Sequence, residues 1–470
     1  MQKQYWAFYW PLTLTGFAML LSKQFENGVL ARYPDAATEL AIFAYAWSTF
    51  FLFNAALVFV PQVVTRLAKT PADRDVCQRF LWATCLVLTL PLLVASFTPF
   101  GASVIDRLFD LKGRELAAVV TYLRFLTPMI LINGFRLFYV GVLVQERRTR
   151  TVTILNVAYL STIVTLLTLG FRSGWRPVIT LAVAQLSASS LHLLLGALTS
   201  RLGRKAGEGE REQAVTVTYR EVFSFFWPVA LTSTMFAFSR PIMYSFVSRT
   251  PDAITTVAAL RVAFDLAMIF HNPMNQSRHL FVTFGLKDRA GLQIFVTRVM
   301  IGLSAIMVLV AATPVLDTIM ARLLGVDENI RAMARGAFWV LCLVPLTIGL
   351  RNMVHGTAMV KKRTTGMAIG GISRNVVIYV SSWACYRAGI LNHLSAAGIL
   401  VAGFAAEGIV VTLWLRSVER VRGPMLRADF VGAIPGAGRE LFARGARRTG
   451  IAAFWGRLAG ESARDEAGTP

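Results

Sequence analysis

Apolar residues in this chain come in long runs separated by short polar connectors. Examples are LAIFAYAWSTFFLFNAALVFV from Leu40 and TVTILNVAYLSTIVTLLTLG from Thr151. A helix needs about 20 apolar residues to cross a hydrocarbon core of about 30 Å. Transmembrane strands would be about half as long and would alternate polar with apolar. The pattern predicts an all-α polytopic membrane protein. Twelve transmembrane spans are expected, at 9–30, 40–62, 79–99, 117–144, 151–170, 177–199, 222–247, 253–285, 291–316, 333–358, 366–386 and 394–416.

The spans repeat. YWPLTLTGFAMLLSKQFENGVLARYPDA aligns without a gap on FWPVALTSTMFAFSRPIMYSFVSRTPDA at an offset of 217 residues. Trp10 pairs with Trp227, Pro11 with Pro228, Ser22 with Ser239, Lys23 with Arg240, and Arg32 with Arg249. Pro128 pairs with Pro345 at the same offset, and GFRLFYVGVLVQERRT from Gly134 matches GLRNMVHGTAMVKKRT from Gly349, pairing Arg136 with Arg351. Transporters are often built from duplicated halves. The expected organisation is an N-terminal six-helix bundle (1–199), a cytoplasmic linker (200–221), a C-terminal six-helix bundle (222–416) and a basic tail (417–470). The two bundles would be related by an axis along the membrane normal.

Composition agrees with a membrane location. The 470 residues are 55% hydrophobic and 16% charged, against about a quarter charged in soluble domains. The net charge of +22 could point to nucleic acid, but the basic residues collect in alternate connectors: RLAKTPADRD, QERRTR, SRLGRKAGEGERE, LKDR, KKRT and the tail from Arg416. That is the positive-inside bias. It predicts an inner (plasma) membrane protein with both termini cytoplasmic, and no nucleic-acid partner. No cleavable signal peptide is apparent, because the first apolar run is interrupted by Pro11, Lys23 and Glu26 and has no small-residue cleavage site. Cys77, Cys85, Cys342 and Cys385 have no spacing that suggests disulfides or a metal site. In the tail, Ile451, Phe454, Trp455 and Leu458 form an apolar stripe among Arg444, Arg447, Arg448 and Arg457. A helix of that pattern suits the anionic inner leaflet. A monomer is expected.

Charges inside the spans carry the functional argument. A Lys or Asp at a helix centre costs roughly 2.5–3.5 kcal/mol on insertion scales. Intramembrane charges therefore pair or line a wet path. The basic ones are Lys23, Arg124, Arg136, Arg240, Arg261, Arg278, Arg351 and Arg374; the acidic ones are Glu26, Asp265 and Glu407. Cations outnumber acids, and an anionic substrate would supply the missing charge. Arg suits carboxylate or phosphate because its planar fork binds two oxygens. Other readings stay open. Arg261 and Asp265 are four apart and can neutralise each other; Glu26 lies one turn from Lys23 and can simply pair with it; Arg124, Arg278 and Arg374 can snorkel to an interface; Arg136 and Arg351 can be gate residues.

The eighth span is unusual. AMIFHNPMNQSRHLFVTF places His271, Asn272, Pro273, Asn275, Gln276, Ser277, Arg278 and His279 in one run. Proline kinks helices, and broken helices line substrate paths in transporters. The segment is expected to line the cavity, with His271 as its titratable group and His355 a second candidate. The bland alternative is a helix extension into water. Expected substrate ligands are thus Lys23, Arg240, Arg136, Arg351, His271, Asn272, Gln276 and Arg278; expected coupling or gating residues are Glu26, Asp265, Glu407 and Arg374. No catalytic constellation, phosphate-cradling loop or metal motif is present in the sequence, so neither an enzyme nor a cofactor is expected and transport would be secondary. GMAIGG from Gly366 reads as close helix packing.

Several of these stretches resemble the progressive ankylosis protein family. SFFWPVAL at Ser224–Leu231 and SRPIMYSFVSR at Ser239–Arg249 resemble its second-half signature, and YWPL at Tyr9–Leu12 its N-terminal one. VPLTIGLR at Val344–Arg351 and VAGFAAEG at Val401–Gly408 are similar to its late helices. The resemblance covers most of the spans but not the chain beyond about residue 420. It implies the multidrug and flippase superfamily fold, two six-helix bundles in a V, and export of polyvalent anions such as pyrophosphate, ATP and citrate. Arg240, Arg249, Arg351 and Glu407 fall in matched motifs. A lipid-linked glycan or lipid flippase of the same fold is the alternative.

Overall fold

A computed structural model describes residues 2–205, 217–285, 288–361 and 365–419. The expected amphipathic tail helix lies outside the described residues, as does most of the linker. Every regular element is helical: α1 Gln2–Thr15, α2 Phe17–Leu30, α3 Ala36–Asn54 running through a 3₁₀ turn Ala55–Phe59 into α4 Val60–Leu67, α5 Pro71–Phe97, α6 Pro99–Phe109, α7 Gly113–Leu126, α8 Met129–Gln145, α9 Thr149–Arg172 and α10 Pro177–Lys205. The second half holds α11 Tyr219–Val247, α12 Ala253–Phe284, α13 Arg289–Ala312, α14 Val315–Thr318 leading into a π-helical turn Ile319–Leu324, α15 Glu328–Leu341, α16 Val344–Val360, α17 Thr365–Arg387 and α18 His393–Glu419.

Among the described residues, ten helical stretches are long and apolar enough to cross a membrane. The expected spans at 9–30 and 366–386 are helical but not among the ten. The first is divided at Gly16 into two helices of 14 residues. The second, α17, carries Arg374, Asn375 and several Ser and Gly, which dilute its apolar character.

The internal repeat sets where helices break. α7 gives way to α8 at Thr127 and Pro128, and α15 gives way to α16 just before Pro345. A proline lacks the backbone donor that would continue the preceding turn. The paired glycines serve equivalent contacts. A Cβ on Gly141 would lie 2.9 Å from Pro61 of α4, and one on Gly356 would lie 2.7 Å from Phe281 of α12. A Cβ on Gly366 or Gly370 would meet Trp414 at 2.3 Å or Val411 at 2.4 Å, so the GMAIGG glycines let α17 and α18 approach closely.

Helix starts are fixed locally. Thr70 and Asp73 form a capping box on α5, as Thr218 and Glu221 do on α11. The second carboxylate oxygen of Asp73 accepts from Val217 N–H at 3.0 Å, tying the starts of α5 and α11 together.

Within the first half α8 and α9 pack on α10, α4 on α8 and α2 on α9; within the second, α12 and α18 pack on α16 and α11 and α18 on α17. The halves meet where α3 packs on α11 and α12. The opening helix α1 docks on α12 and α13, and α11 reaches back to α4 and α5. On the face opposite the basic connectors the halves grip each other reciprocally. Arg32 donates to the carbonyls of Leu323 and Leu324 at 2.9 and 3.0 Å. Its repeat partner Arg249 donates to the carbonyls of Arg107 and Leu108 at 2.5 and 3.2 Å. In both cases the carbonyls close a short helical segment, where a cation complements the exposed acceptors and the dipole.

Pro273 does not break its helix: α12 is continuous across it. The carbonyls of Pro273 and Met274 accept from Tyr9 Oη at 2.6 Å and Asn352 Nδ2 at 2.7 Å, so neighbouring helices hold them.

Candidate functional site

A cavity of about 290 Å³ opens between the halves, walled by α2, α3, α11, α12, the end of α15, α16 and α18. Its α12 stripe is Arg261, Phe264, Asp265, Met268, His271 and Asn275. Arg261, Asp265, Met268, His271 and Asn275 follow in steps of four, three, three and four, with Phe264 beside Asp265, which keeps one helical face toward the cavity.

Ions crowd one end. Lys23 Nζ lies 2.8 Å from Glu26 Oε2 and 3.4 Å from the centre of the Trp47 ring. Glu26 is fully buried behind the wall, and its other oxygen has no hydrogen-bond partner among the described residues. Arg261 Nε donates to Asn27 Oδ1 at 2.7 Å, and its guanidinium stacks 3.8 Å from the Phe43 centre. Asp265 is shared: one oxygen lies 3.5 Å from Arg261, the other 3.6 Å from Arg240, and Asn27 Nδ2 donates to it at 3.1 Å. Gln24 donates to the Asp265 backbone carbonyl at 2.7 Å. Three cations thus share two carboxylates, leaving one positive charge in surplus. Arg240 keeps 32% of its side chain exposed, the most available of the ion-paired groups in this cluster.

Of the residues singled out in the sequence, Lys23, Arg240, Asp265 and His271 line this cavity. The helical neighbours of His271 do not. Asn272, Gln276 and Arg278 rotate off the wall, and Asn275, four residues from His271, takes the place expected of them. Asn272 instead packs where α1 meets α2, so that a Cβ on Gly16 would touch its Nδ2 at 2.8 Å. Arg278 sits 5.1 Å from the Phe59 ring of the other half.

Arg351, Arg374 and Glu407 also leave the cavity. Glu407 accepts from Arg374 through Oε2, which lies 2.8 Å from Arg351 Nε; its Oε1 is 3.5 Å from His355 Nε2. All four residues are buried in the second half. The cluster stands one layer behind the wall: Arg374 donates to Ser239 Oγ at 3.0 Å, and its guanidinium lies 5.1 Å from the Phe236 ring. Ser239 and Phe236 both face the cavity. The acid that the sequence offers as a coupling group draws in the arginine that it offers as a ligand. Arg136 has no such acid. It donates to Asn133 at 3.3 Å, lies 5.6 Å from the Tyr159 ring, and forms no ion pair among the described residues.

The aromatic lining was not anticipated. Trp47, Phe51, Phe236, Tyr244, Phe264 and Phe404 all face the cavity. Aromatic residues recur throughout the spans, on lipid-facing and interior sides alike, so no pattern singles these out. The α12 stripe itself was readable from its spacing.

Comparison with solved structures places the fold. An inward-facing multidrug-resistance MATE family transporter of the MOP superfamily aligns over 86% of this chain and 96% of its own, at 15% identity and a TM-score of 0.64. A MOP superfamily transporter from Pyrococcus furiosus, described as having a binding pocket of reversed polarity, aligns over 87% and 94%, at 14% identity and a TM-score of 0.57. The lipid II flippase MurJ aligns over 86% and 87%, at 14% identity and a TM-score of 0.59. The chain is a multi-pass membrane protein with the fold these proteins share. The model of the family described as progressive ankylosis protein (ANKH) matches residues 2–254, more than half of the sequence, and the chain belongs to that family.

Proposed function

We propose that this protein is a secondary transporter that exports small anions, of the citrate, nucleotide or pyrophosphate class, by alternating access of its two halves about the central cavity. It would sit in the inner (plasma) membrane with both termini cytoplasmic, as the basic connectors indicate. The observation that carries the reading is that Lys23, Arg240 and Arg261 on the cavity wall share, among the described residues, only Asp265 beside them and Glu26 behind the wall. A surplus positive charge in an apolar surround attracts an anion strongly, because water screens it little there. Arg240 and Lys23 are the leading substrate ligands. Glu26 and Asp265, each tied to those cations, are the groups through which substrate and coupling ion would compete. Arg351, Arg374 and Glu407 act as scaffold for the second half rather than as ligands.

The test is efflux of labelled citrate, ATP and pyrophosphate from sealed vesicles, wild type beside Lys23→Ala/Arg240→Ala. Efflux of at least one anion that the double variant loses supports the reading. No efflux, or equal efflux by the variant, refutes it and favours a lipid flippase on the same fold.

A further inference from the structure

The second half encloses a charge imbalance of its own, away from the central cavity. Arg351 and Arg374 converge on Glu407, with Arg351 Nε 2.8 Å from its carboxylate and Arg374 bonded to it. A third arginine faces the same group. The Met274 carbonyl of α12 accepts from Asn352 of α16 at 2.7 Å, and a Cβ on Gly356 of α16 would lie 2.7 Å from Phe281. Arg278 stands between these contacts, four residues after Met274 and three before Phe281. The same helical face therefore turns it toward α16. There it lies within electrostatic reach of Arg351, His355 and Glu407. Three guanidinium groups thus share one carboxylate among the described residues, which leaves two positive charges unbalanced.

Hydrogen-bond donors are left over in the same place. Arg374 Nη2, Arg278 Nε and both ring nitrogens of His355 are buried with no hydrogen-bond partner among the described residues. Arg374 and His355 are 0% exposed. His355 feels the charge of all three arginines, and its neutral ring carries one N–H to give. Unpaired charge in a low-dielectric interior is strongly disfavoured, and so is a buried donor with nothing to bond. One anion placed beside His355 answers both.

The packing limits its size. A Cβ on Gly403 would lie 3.1 Å from Arg374 Cγ, and one on Gly370 would lie 3.2 Å from Glu407 Cγ. Surroundings this close suit a single atom rather than a carboxylate- or phosphate-bearing molecule. A monatomic anion also accepts N–H groups from any direction, as donors on α12, α16 and α17 require.

We propose that the second half holds a buried halide, bound by His355 with Arg278 and Arg374, as a structural counter-ion separate from the transport cavity.

Melting of the purified full chain in detergent tests this, in sodium chloride, sodium bromide or sodium gluconate at constant ionic strength. The variants are Arg278→Gln, His355→Phe and Lys23→Ala/Arg240→Ala. A ligand that binds only the folded state raises the melting temperature with the logarithm of its concentration. The expected result is a rise of about 2 °C for each tenfold increase in chloride, with bromide acting alike. The rise persists in Lys23→Ala/Arg240→Ala and is lost in Arg278→Gln. That variant leaves the Arg351, Arg374 and Glu407 contacts in place. His355→Phe, which removes the ring N–H and keeps the bulk, shows the same loss and decides the matter if Arg278→Gln does not fold. Equal melting in all three salts overturns the proposal. So does a halide effect that survives both Arg278→Gln and His355→Phe. An effect lost in Lys23→Ala/Arg240→Ala overturns it too, because the halide would then belong to the central cavity. Transport plays no part in the readout, so the two readings stand or fall separately.

Discussion

Replacing Glu407 by alanine separates a scaffold role from a transport role. The carboxylate is fully buried, bonded to Arg374, 2.8 Å from Arg351 and 3.5 Å from His355. Without it, two guanidinium groups remain in the interior of the second half with no counter-charge. Removing one partner of a buried ion pair costs about 3–5 kcal/mol, whereas exchanging a whole buried ionic group for apolar side chains of similar size is close to neutral. Glu407→Ala should therefore lower the melting temperature of the detergent-solubilised protein sharply, measured as the monodisperse fraction left after heating. The triple variant Arg351→Met/Arg374→Met/Glu407→Leu should recover most of the loss. An unchanged melting temperature in Glu407→Ala refutes the argument. If that variant also loses transport, Glu407 is a coupling residue, as its place in the sequence motif first suggests.

Three further outcomes are expected. The double variant Arg32→Ala/Arg249→Ala should loosen the face opposite the basic connectors by about 1–2 kcal/mol, roughly a tenfold change in opening. Faster labelling of Met268→Cys by an impermeant maleimide from that face, in a background lacking the four native cysteines, would report it; unchanged labelling would count against a closing role. Gly141→Leu should destabilise by about 1–3 kcal/mol through overpacking, since even a Cβ would lie 2.9 Å from Pro61, and a normal melting curve would contradict the close approach of α8 to α4. Tyr9→Phe, which removes the 2.6 Å bond to the Pro273 carbonyl, should cost about 1 kcal/mol, with added protease sensitivity in α1 if that bond anchors it.

The repeat was the most legible feature of the chain. Pro128 and Pro345, paired in the alignment, mark equivalent helix breaks, and Gly141 and Gly356 make equivalent close contacts. Local chemistry decides those features, so a linear pattern can carry them. Charge was only half legible. Lys23 and Arg240 do share one cavity, but Arg351 and Arg136, also a repeat pair, have different surroundings. Arg351 meets Glu407 and Arg136 meets Asn133, because the partners come from helices distant in sequence. The α12 anomaly misled in one respect. Pro273 signals a break, yet α12 continues across it, and Tyr9 and Asn352 tie the carbonyls of Pro273 and Met274 to neighbouring helices. Those ties come from helices distant in sequence, which no local stretch encodes.

The reciprocal grip of Arg32 and Arg249 has an ancestral meaning. Arg32 of the first half holds Leu324 of the second, while Arg249 of the second holds Arg107 of the first. Leu324 and Arg107 stand at the same 217-residue offset as the two arginines. A contact in which one site touches another and its counterpart returns the touch is the isologous interface of a two-fold dimer. Two half-length chains that paired before they were fused would have made this contact twice by symmetry. Fusion released each half to change its interior independently, which is how an ionic cluster could arise around Arg351 while Arg136 stayed without an acid. The clasp could not diverge in that way, because each of its halves is read by the other.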